Sequence, residues 1–541
     1  MFKEEKNNGE YLLLAAVALV ALMMRAYGAD FGLPLHYHID EERVMNRVIR
    51  MVTTGDLNPH FFHYPSFIFY FLSALVASYY FVHYLPFALG ALLEGGSLSL
   101  SAFKEAFVAD EAVLYLLGRL SMAIVGVLTV VLLFFLVRRL LDRRAALFAS
   151  AALALSPLHV VESHYIKQEI LMTFFMFLAL FIAVRGVKTS PARTSLGVGA
   201  AAGIAASVKY NGILGFAVVP LLFRKNGKLS LSSFFGMGPL LAAAAAVAAF
   251  LLFSPFILFD FGQFSTDFAF EMSHVSVKGH HGFDLNGDGL VYHRFLYQLL
   301  AALPFSMGLP LYFMSLAGVA IAVWRKENSF LWILYFGVPY FVITAMMKVV
   351  FLRYYMPITV ILCITAGYGL SVLTYRKGKA GKLAWFLAAA VLLHTAAFTW
   401  SLERHMPRGR ATLDEGLEWI LENVPEGSRV AVTHFTPPLS GDVYELVNLR
   451  PHQFTRDWLR KESPDCLVIS SLITVGFERG GVGVEEGKAF LDDLRAGQLG
   501  YRRAAFYQKD FMNRNFFARV DPTLTETFMP GIEIILKEGG P

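Results

Sequence analysis

The sequence predicts a polytopic α-helical membrane protein with a small external α/β domain at its C-terminus. Of its 541 residues, 56% are hydrophobic and only 16% are charged, and the mean hydropathy is +0.52. Several apolar runs reach the ~20 residues that a helix needs to cross a bilayer. This composition excludes an ordinary soluble protein, and the two cysteines do not imply a disulfide framework.

Eleven apolar runs are expected to span the membrane. The first follows a charged segment and lacks a small-residue cleavage site, so we expect a retained anchor. A further apolar stretch at 64–90 contains Pro86 and several tyrosines, and we expect it to lie at the membrane interface. The eleven runs fall near 11–28, 117–137, 145–161, 169–187, 195–208, 211–223, 233–256, 304–324, 329–347, 354–374 and 382–401.

The N-terminal segment and the connections after every second span are basic. Because cations accumulate in cytoplasmic loops, this pattern predicts a multi-pass protein of the cell (inner) membrane with a cytoplasmic N-terminus and a periplasmic or extracellular C-terminal domain. It also accounts for the net charge of +5 without a nucleic-acid partner. Counting 64–90 as a twelfth span would place the five later basic loops on the outer side of the membrane. The cations are Lys3, Lys6, Arg138, Arg139, Arg143, Arg144, Arg185, Lys188, Arg193, Arg224, Lys225, Lys228, Arg325, Lys326, Arg376, Lys377, Lys379 and Lys382.

Two domains are expected, a membrane domain at 1–401 and an external α/β domain at 402–541. The hydropathy falls after residue 401, where the pattern becomes that of a small soluble domain. Within it we predict helices near 417–421 and 486–494 and buried strands at 430–432 and 466–469.

The first external loop, 29–116, is long for a connection, and long loops are often functional. Inside it, Val44 and Val48 recur at helical spacing with polar residues between them. This pattern predicts a surface helix that ends at Gly55.

Three carboxylates, Asp40, Glu41 and Glu42, begin this helix at the mouth of the membrane core, where an anion is disfavoured without a partner or a function. Asp40 is a natural N-cap, and the two glutamates suit the positive end of the helix dipole. Equally, a carboxylate in a partly dry cleft is suited to act as a general base. Glu169 has the same two interpretations, either a helix-start carboxylate paired with Lys167 or a second acid in the same cavity.

Basic residues also occur at the outer ends of spans, against the usual charge bias. Arg119, Lys209 and Arg353 lie within or beside apolar segments. Snorkelling of their aliphatic stems to the interface is one interpretation. We favour the other, an anionic ligand such as a lipid phosphate.

No metal site is predicted. His36, His38, His60 and His63 offer transition-metal ligands beside Asp40, but no tight ligand spacing supports a site. The run 284–289 resembles the start of a calcium loop. Its twelfth position is Phe295, which cannot supply the closing carboxylate, so a Gly-Asp turn is favoured. No cofactor is expected to be required, although a divalent metal is not excluded.

Together these residues resemble the GT-C glycosyltransferases of the family 39 type. That group uses polyprenyl-phosphate sugars and includes protein O-mannosyltransferases and aminoarabinose transferases. The resemblance covers residues 10–401 and rests on the order of its motifs. They are Asp40-Glu41, Thr54-Gly55-Asp56, His63-Tyr64-Pro65, Gly118-Arg119-Leu120, Ser156-Pro157-Leu158-His159, Ser163-His164-Tyr165 and Phe351–Pro357.

The resemblance implies a GT-C fold of about 11 transmembrane helices and transfer of a sugar from a polyprenyl phosphate to an acceptor on the outer face, with inversion. It implies Asp40 as general base with Glu41 beside it. Glu169 stands where the family commonly has an aspartate. The donor phosphate needs cations, for which we expect Lys209 and Arg353, together with Arg119 and Lys167.

His63, Tyr64, His164 and Tyr354 are expected to bind substrate. The His63-Tyr64-Pro65 motif stands where the aminoarabinose branch has Glu-Lys-Pro, so the same donor and acceptor do not follow. The expected partners are the donor, membrane lipids and an acceptor that is a protein, lipid or glycan. The alternative function is a lipid-linked sugar flippase or transporter, but the paired repeats usual in transporters are not evident in the sequence.

Overall fold

The membrane part of the chain is helical. The computed structural model describes residues 8–35, 38–93, 111–186, 190–224, 228–281, 283–285, 292–478 and 484–539. Its helices up to residue 403 are α1 Asn8–Ala26, α2 Ile39–Thr54, α3 Phe67–Leu93, α4 Glu111–Leu140, α5 Arg143–Leu155, α6 Pro157–Glu162, α7 Gln168–Gly186, α8 Pro191–Val208, α9 Val219–Leu222, α10 Leu231–Phe235, α11 Met237–Phe253, α12 Phe256–Phe259, α13 Phe261–Ser273, α14 Arg294–Tyr297, α15 Leu303–Met307, α16 Leu309–Trp324, α17 Phe330–Met346, α18 Met356–Thr374 and α19 Gly378–Glu403. Short 3₁₀ segments, Tyr210–Val218 and Leu352–Tyr355, and π turns, His274–Lys278 and Gln298–Ala302, connect some of them.

Within the described residues, seven helices are long and apolar enough to cross a membrane, or eight if one bent pair is a single span. Eleven spans were predicted, but two of the predicted runs form helices of only 10–17 residues, Tyr210–Leu222 and Phe330–Met346. Breaks in the backbone shorten or separate other helices. Ser156 has an extended backbone ahead of Pro157, as residues before proline prefer. Lys209 is extended at φ −152° and ψ 136°, and the bent pair turns through 119° at Gly308, whose φ is +77°.

The position of the 64–90 stretch relative to the membrane stays a prediction. Helix α3 is among the seven that are long enough to span, so its length alone permits both positions. Lys3, Lys6, Lys188 and Lys225, four of the cations behind the predicted orientation, lie outside the described residues.

The surface helix predicted in the first loop is confirmed as α2. It ends at Gly55, whose φ of +77° is the left-handed conformation that glycine favours. Its N-cap, however, is His38 and not Asp40, because the helix begins two residues earlier than predicted. The Asp40 N–H donates to His38 Nδ1 over 3.1 Å. Burial, helped by the charge of Lys167, lowers the pKa of His38 well below its usual value, so its ring is neutral and Nδ1 accepts.

The C-terminal region contains a five-stranded sheet. The strands are β1 Arg429–Val432, β2 Glu445–Asn448, β3 Cys466–Ser470, β4 Tyr501–Tyr507 and β5 Ile532–Lys537, in the order β2-β1-β3-β5-β4. β1 is parallel to β2 and β3, whereas β5 is antiparallel to β3 and β4. The predicted strands and helices are all present; the helices here are α20 Thr412–Asn423, α21 Arg456–Glu462, α22 Ser471–Thr474, α23 Val484–Arg495, α24 Arg514–Val520 and α25 Pro522–Glu526, with 3₁₀ turns at Pro451–Gln453 and Val475–Phe477.

The C-terminal region packs directly on the membrane part. The ring of Phe305 in α15 lies 4.9 Å from that of Phe517 and 5.7 Å from that of Phe528. Tyr297 donates its hydroxyl to Asp521 Oδ2 over 2.8 Å. The two parts therefore share one apolar core, and the division predicted at residues 401/402 stays a prediction.

Helices α8 and α11 touch backbone to backbone through small residues, which is how helices associate in lipid. A Cβ atom on Gly199 would overlap the carbonyl of Ala242, and one on Gly203 would overlap the carbonyl of Ala246. These two contacts fix the position of α8, the helix that ends at Lys209.

We expect Gly203→Ala to separate these helices and to lower the free energy of unfolding by about 1–3 kcal/mol, the usual cost of overpacking. Thermal unfolding of the detergent-purified protein measures this. The matched control is Gly197→Ala in the same helix, where the new Cβ meets only the flexible side chain of Ile182 at 3.1 Å. Equal destabilisation by both substitutions would contradict the prediction.

Candidate active site

Four charged side chains from distant parts of the chain meet in one cluster. Glu169 Oε1 lies 2.7 Å from Lys209 Nζ and 3.3 Å from Arg353 Nε. Arg353 Nη2 lies 3.6 Å from Asp40 Oδ2. We call Asp40, Arg353, Glu169 and Lys209 the charged cluster. Each acid contacts at least one cation, so the described charges of this group balance.

Helix ends and breaks deliver these four residues. Asp40 is in the first turn of α2 and Glu169 in the first turn of α7. Lys209 stands at the break that ends α8, and Arg353 in the 3₁₀ turn before α18. All four charges therefore lie at helix ends or breaks and not in the middle of a continuous apolar helix.

Aromatic rings support the two cations. Lys209 Nζ lies 4.4 Å from the ring centroid of Tyr354, and the Arg353 guanidinium lies 4.2 Å from that of Phe351. Cation–π contacts of this length are attractive, and more so away from water. The predicted substrate residue Tyr354 therefore borders the charged cluster.

The cluster is buried on one side and open on the other. The side chain of Glu169 is 2% exposed, whereas those of Lys209 and Arg353 are both 22% exposed and that of Asp40 is 30% exposed. Glu169 Oε2 is buried, and no described residue donates a hydrogen bond to it. A buried acceptor without a partner costs free energy, so a donor from a ligand would be favourable here.

Asp40 is ionised at neutral pH. Burial works to raise the pKa of its carboxyl, but the nearby positive charges, chiefly Arg353, outweigh burial and hold the pKa well below its usual range. In the absence of a ligand Asp40 is therefore a deprotonated but weak base.

Glu41 and Arg119 form a separate, fully buried pair. Arg119 Nε and Nη2 donate to the two Glu41 carboxylate oxygens over 3.0 and 2.7 Å. Arg119 Nη1 donates to the carbonyls of Ala29 and Phe31, and the Ile166 N–H donates to Glu41 Oε1. The roles predicted for both residues stay untested, but these contacts leave neither side chain open to a ligand.

Lys167 pairs with Glu162 and not with Glu169 as the sequence suggested. Its Nζ lies 3.3 Å from Glu162 Oε2 and 4.3 Å from the ring centroid of Tyr165. The cause is the break between α6 and α7, which places Glu162 on the side of Lys167. Its positive charge still contributes to the low pKa of Asp40.

The predicted substrate residues His63 and Tyr64 lie in the loop that runs from α2 to α3. His63 Nδ1 lies 2.8 Å from Glu271 Oε1, and its Nε2 lies 3.7 Å from Asp267 Oδ1. The ring of Tyr64 packs against Phe61 at 5.0 Å. This loop is thereby attached to α13.

His164, also predicted to bind substrate, lies in a different cluster. Its ring nitrogens contact the carbonyls of Val160 and Tyr27, and Nε2 lies 3.1 Å from Glu403 Oε2. Arg25 and His159 are joined nearby by a 2.8 Å contact. His164 is fully buried, and its substrate role remains a prediction.

Several charged residues were missed by the sequence reading, namely Glu162, Asp267, Glu271, Arg25 and Glu403. Asp267 and Glu271 carried a signal, since they are four residues apart and so share one face of a helix. Glu162 and Glu403 carried none, because an isolated acid beside an apolar run does not indicate its partner.

Among the residues that the structure describes, no group of three His, Cys, Asp or Glu side chains is placed to hold a metal ion. His36 and residues 286–291 lie outside that part of the chain, so the possible histidine ligands and the predicted Gly-Asp turn are only partly described. Metal dependence stays a prediction.

Comparison with known proteins supports the family. Residues 110–259 match the family model described as dolichyl-phosphate-mannose-protein mannosyltransferase. No curated protein sequence matches the chain. The fold matches AglB, the oligosaccharyltransferase of Archaeoglobus fulgidus, solved with an inhibitory peptide and a dolichol-phosphate. The TM-score is 0.53 at 12% identity, with 99% of this chain and 89% of that chain covered.

The sequence match and the fold agree. The chain has the fold of a GT-C glycosyltransferase, and residues 110–259 match a mannosyltransferase family model. A structure of the A. fulgidus oligosaccharyltransferase tethered to an acceptor peptide matches at 13% identity and TM-score 0.52, covering 89% of this chain and 72% of that chain. ArnT of Cupriavidus metallidurans, bound to undecaprenyl phosphate, is similar at 16% identity and TM-score 0.49, with 98% of each chain covered.

The family match includes only part of the charged cluster. Glu169 and Lys209 fall inside the matched residues, whereas Asp40 and Arg353 fall outside them. The contacts between the two pairs are therefore a property of the tertiary structure, and they define the candidate site.

We expect Glu41→Gln to lower the free energy of unfolding by about 3–5 kcal/mol, because it leaves Arg119 buried without its counter-ion. Thermal unfolding in detergent tests this, with the exposed neighbour Glu42→Gln as the control. A melting temperature in Glu41→Gln equal to that of the control would show that the pair does not stabilise the fold.

Proposed function

We propose that this glycosyltransferase moves a sugar from a polyprenyl-phosphate donor to an acceptor hydroxyl on the outer face of the membrane, with inversion and with Asp40 as general base. The observation that carries the proposal is the chain of contacts from Asp40 through Arg353 to Glu169 and Lys209. It puts an ionised acid and two partly exposed cations at one opening.

The two cations are the proposed site for the donor phosphate. Arg353 and Lys209 are each shared with a carboxylate, yet each remains 22% exposed. Hydrogen bonds from guanidinium and ammonium groups to phosphate are strong and suit a leaving group that gains negative charge. The solved complexes of AglB with dolichol-phosphate and of ArnT with undecaprenyl phosphate support this ligand class.

Glu169 is proposed to set the spacing of these cations. Its Oε1 contacts both of them, which holds them near one another without a bound phosphate. Its free Oε2 is proposed to accept a hydrogen bond from a donor hydroxyl. Glu169 is thus a ligand-positioning group, not a second base.

Asp40 is proposed to take the acceptor proton while the acceptor oxygen attacks the anomeric carbon. The bond from that carbon to the phosphate oxygen breaks, and the electron pair leaves with the lipid phosphate. Displacement from the opposite side inverts the anomeric centre. A bound phosphate would also draw Arg353 away from Asp40 electrostatically, so that the pKa of Asp40 rises and it becomes a stronger base.

The buried Glu41–Arg119 pair is proposed to hold Asp40 in place. It attaches the first turn of α2 to α4 and, through the Ile166 N–H, to the segment before α7. Lys167 is proposed to add positive potential at longer range. On this proposal the cluster lies on the periplasmic side, as the distribution of basic loops predicts.

We expect Asp40→Asn to reduce transfer by about 10²–10⁴-fold, the usual contribution of a general base. Incorporation of labelled sugar from a polyprenyl-phosphate donor into native membranes measures it. Because the phosphate site remains, Asp40→Asn should still bind undecaprenyl phosphate.

The control for this experiment is Glu42→Gln, an exposed change two residues away that should keep full activity. Full transfer by Asp40→Asn would rule out Asp40 as base. Translocation of the donor across vesicles without any transfer by the wild type would instead favour the flippase alternative.

We expect Arg353→Gln to change the pH dependence of kcat/KM. The reaction needs ionised Asp40, and activity is lost as pH falls through its pKa, which lies below the usual range in the wild type. Removing Arg353 should raise that pKa toward the ordinary range of an aspartate, so the acidic loss of activity begins at higher pH. Arg43→Gln should shift the profile less, because the Arg43 side chain is 59% exposed and lies 3.9 Å from Asp40. An unchanged profile in Arg353→Gln would contradict this.

A further inference from the structure

A stack of side chains connects Arg353 to the C-terminal region. Phe351, two residues before Arg353, presents its ring 4.2 Å from the guanidinium. The ring of Phe283 packs on that of Phe351 with 4.4 Å between centroids. Phe283 is buried in a small apolar cluster with Val349 and with Leu472 of α22. An apolar contact from the C-terminal region therefore ends on the ring beneath the site cation.

Backbone contacts hold Phe283 in register with the segment that leads to Arg353. The Val350 N–H donates to the Phe283 carbonyl over 2.9 Å, and Asp284 and Val349 form an antiparallel bridge. Asp284 Oδ1 accepts from the His280 N–H over 2.7 Å. These backbone contacts couple the position of Phe283 to the positions of residues 349–351.

His281 attaches the same segment to the C-terminal region by a polar contact. Its Nε2 donates to the carbonyl of Ile473 over 3.1 Å, and its ring lies 5.0 Å from that of Phe477. Gly476 leaves room for the ring, since a Cβ there would overlap it. The contact is therefore defined both by its hydrogen bond and by the space that Gly476 leaves for the ring.

We propose that Phe283 and His281 are positioning residues through which the C-terminal region sets the direction of the Arg353 guanidinium, and so the affinity for the donor phosphate. A planar guanidinium contacts Asp40 and Glu169 together only in a narrow range of orientations, and the face of Phe351 limits that range. The inference rests on the proposed role of Arg353 in phosphate binding. It gives the C-terminal region a part in donor binding without direct contact.

A double-mutant cycle in nanodiscs tests this, with undecaprenyl phosphate as the probe and its dissociation constant as the readout. Arg353→Met should weaken binding about tenfold or more, and Phe283→Ala about three- to tenfold. In the Arg353→Met background, Phe283→Ala should cause no further loss, because its effect passes through the missing guanidinium.

Tyr297→Phe is the matched control, since it removes another contact with the C-terminal region, the hydrogen bond to Asp521, that is not part of the stack of Phe283 and Phe351. It should leave the dissociation constant unchanged. If Phe283→Ala does not yield a monodisperse protein, His281→Ala replaces it in the same cycle. Phe283→Leu, which keeps a larger apolar side chain, should weaken binding less than Phe283→Ala.

The outcomes separate the two proposals. An equal loss from Phe283→Ala in both backgrounds would overturn the positioning role while leaving Arg353 as a phosphate ligand. An unchanged dissociation constant in Phe283→Ala, or a loss of the same size in Tyr297→Phe, would overturn it as well. Unaltered binding in Arg353→Met would instead overturn the proposed phosphate site.

Discussion

The candidate site depends on one arginine shared between two acids. Arg353 lies between Asp40 and Glu169, and Glu169 in turn pairs with Lys209. Ions near the core of a membrane are expensive unless they have counter-ions. Sharing Arg353 balances the charges while leaving each cation partly exposed. The low pKa of Asp40, the open side of the cluster and the proposed phosphate site all follow from this arrangement.

Interrupted helices make that arrangement accessible. Lys209 is itself the extended residue that ends α8, and Arg353 lies in a 3₁₀ turn, so neither charge lies within a continuous α-helix. Close contact of α8 with α11 through glycine holds one of these breaks in place. The packing of these helices therefore also sets the geometry of the site.

Two acid–arginine pairs with similar chemistry differ in burial. The Glu41–Arg119 pair is closed, since backbone groups and the partner carboxylate occupy Arg119. The Asp40–Arg353 pair is open and weaker, at 3.6 Å. Rigid support next to an open pair suits the proposed role of Asp40, because a general base must be held still and yet reach its substrate. On the proposal made above, packing of the C-terminal region near Phe351 extends that support to Arg353.

The sequence by itself determined the membrane class, α2 with its end at Gly55, the strands of the C-terminal region and the four residues of the charged cluster as candidates. Hydropathy, helix-ending glycine and buried strands are local signals, so they are visible without a structure. Only the tertiary structure decided which ions pair. Asp40 and Glu41 are adjacent and chemically alike, yet one contacts Arg353 and the other Arg119, because packing of distant helices selects each counter-ion.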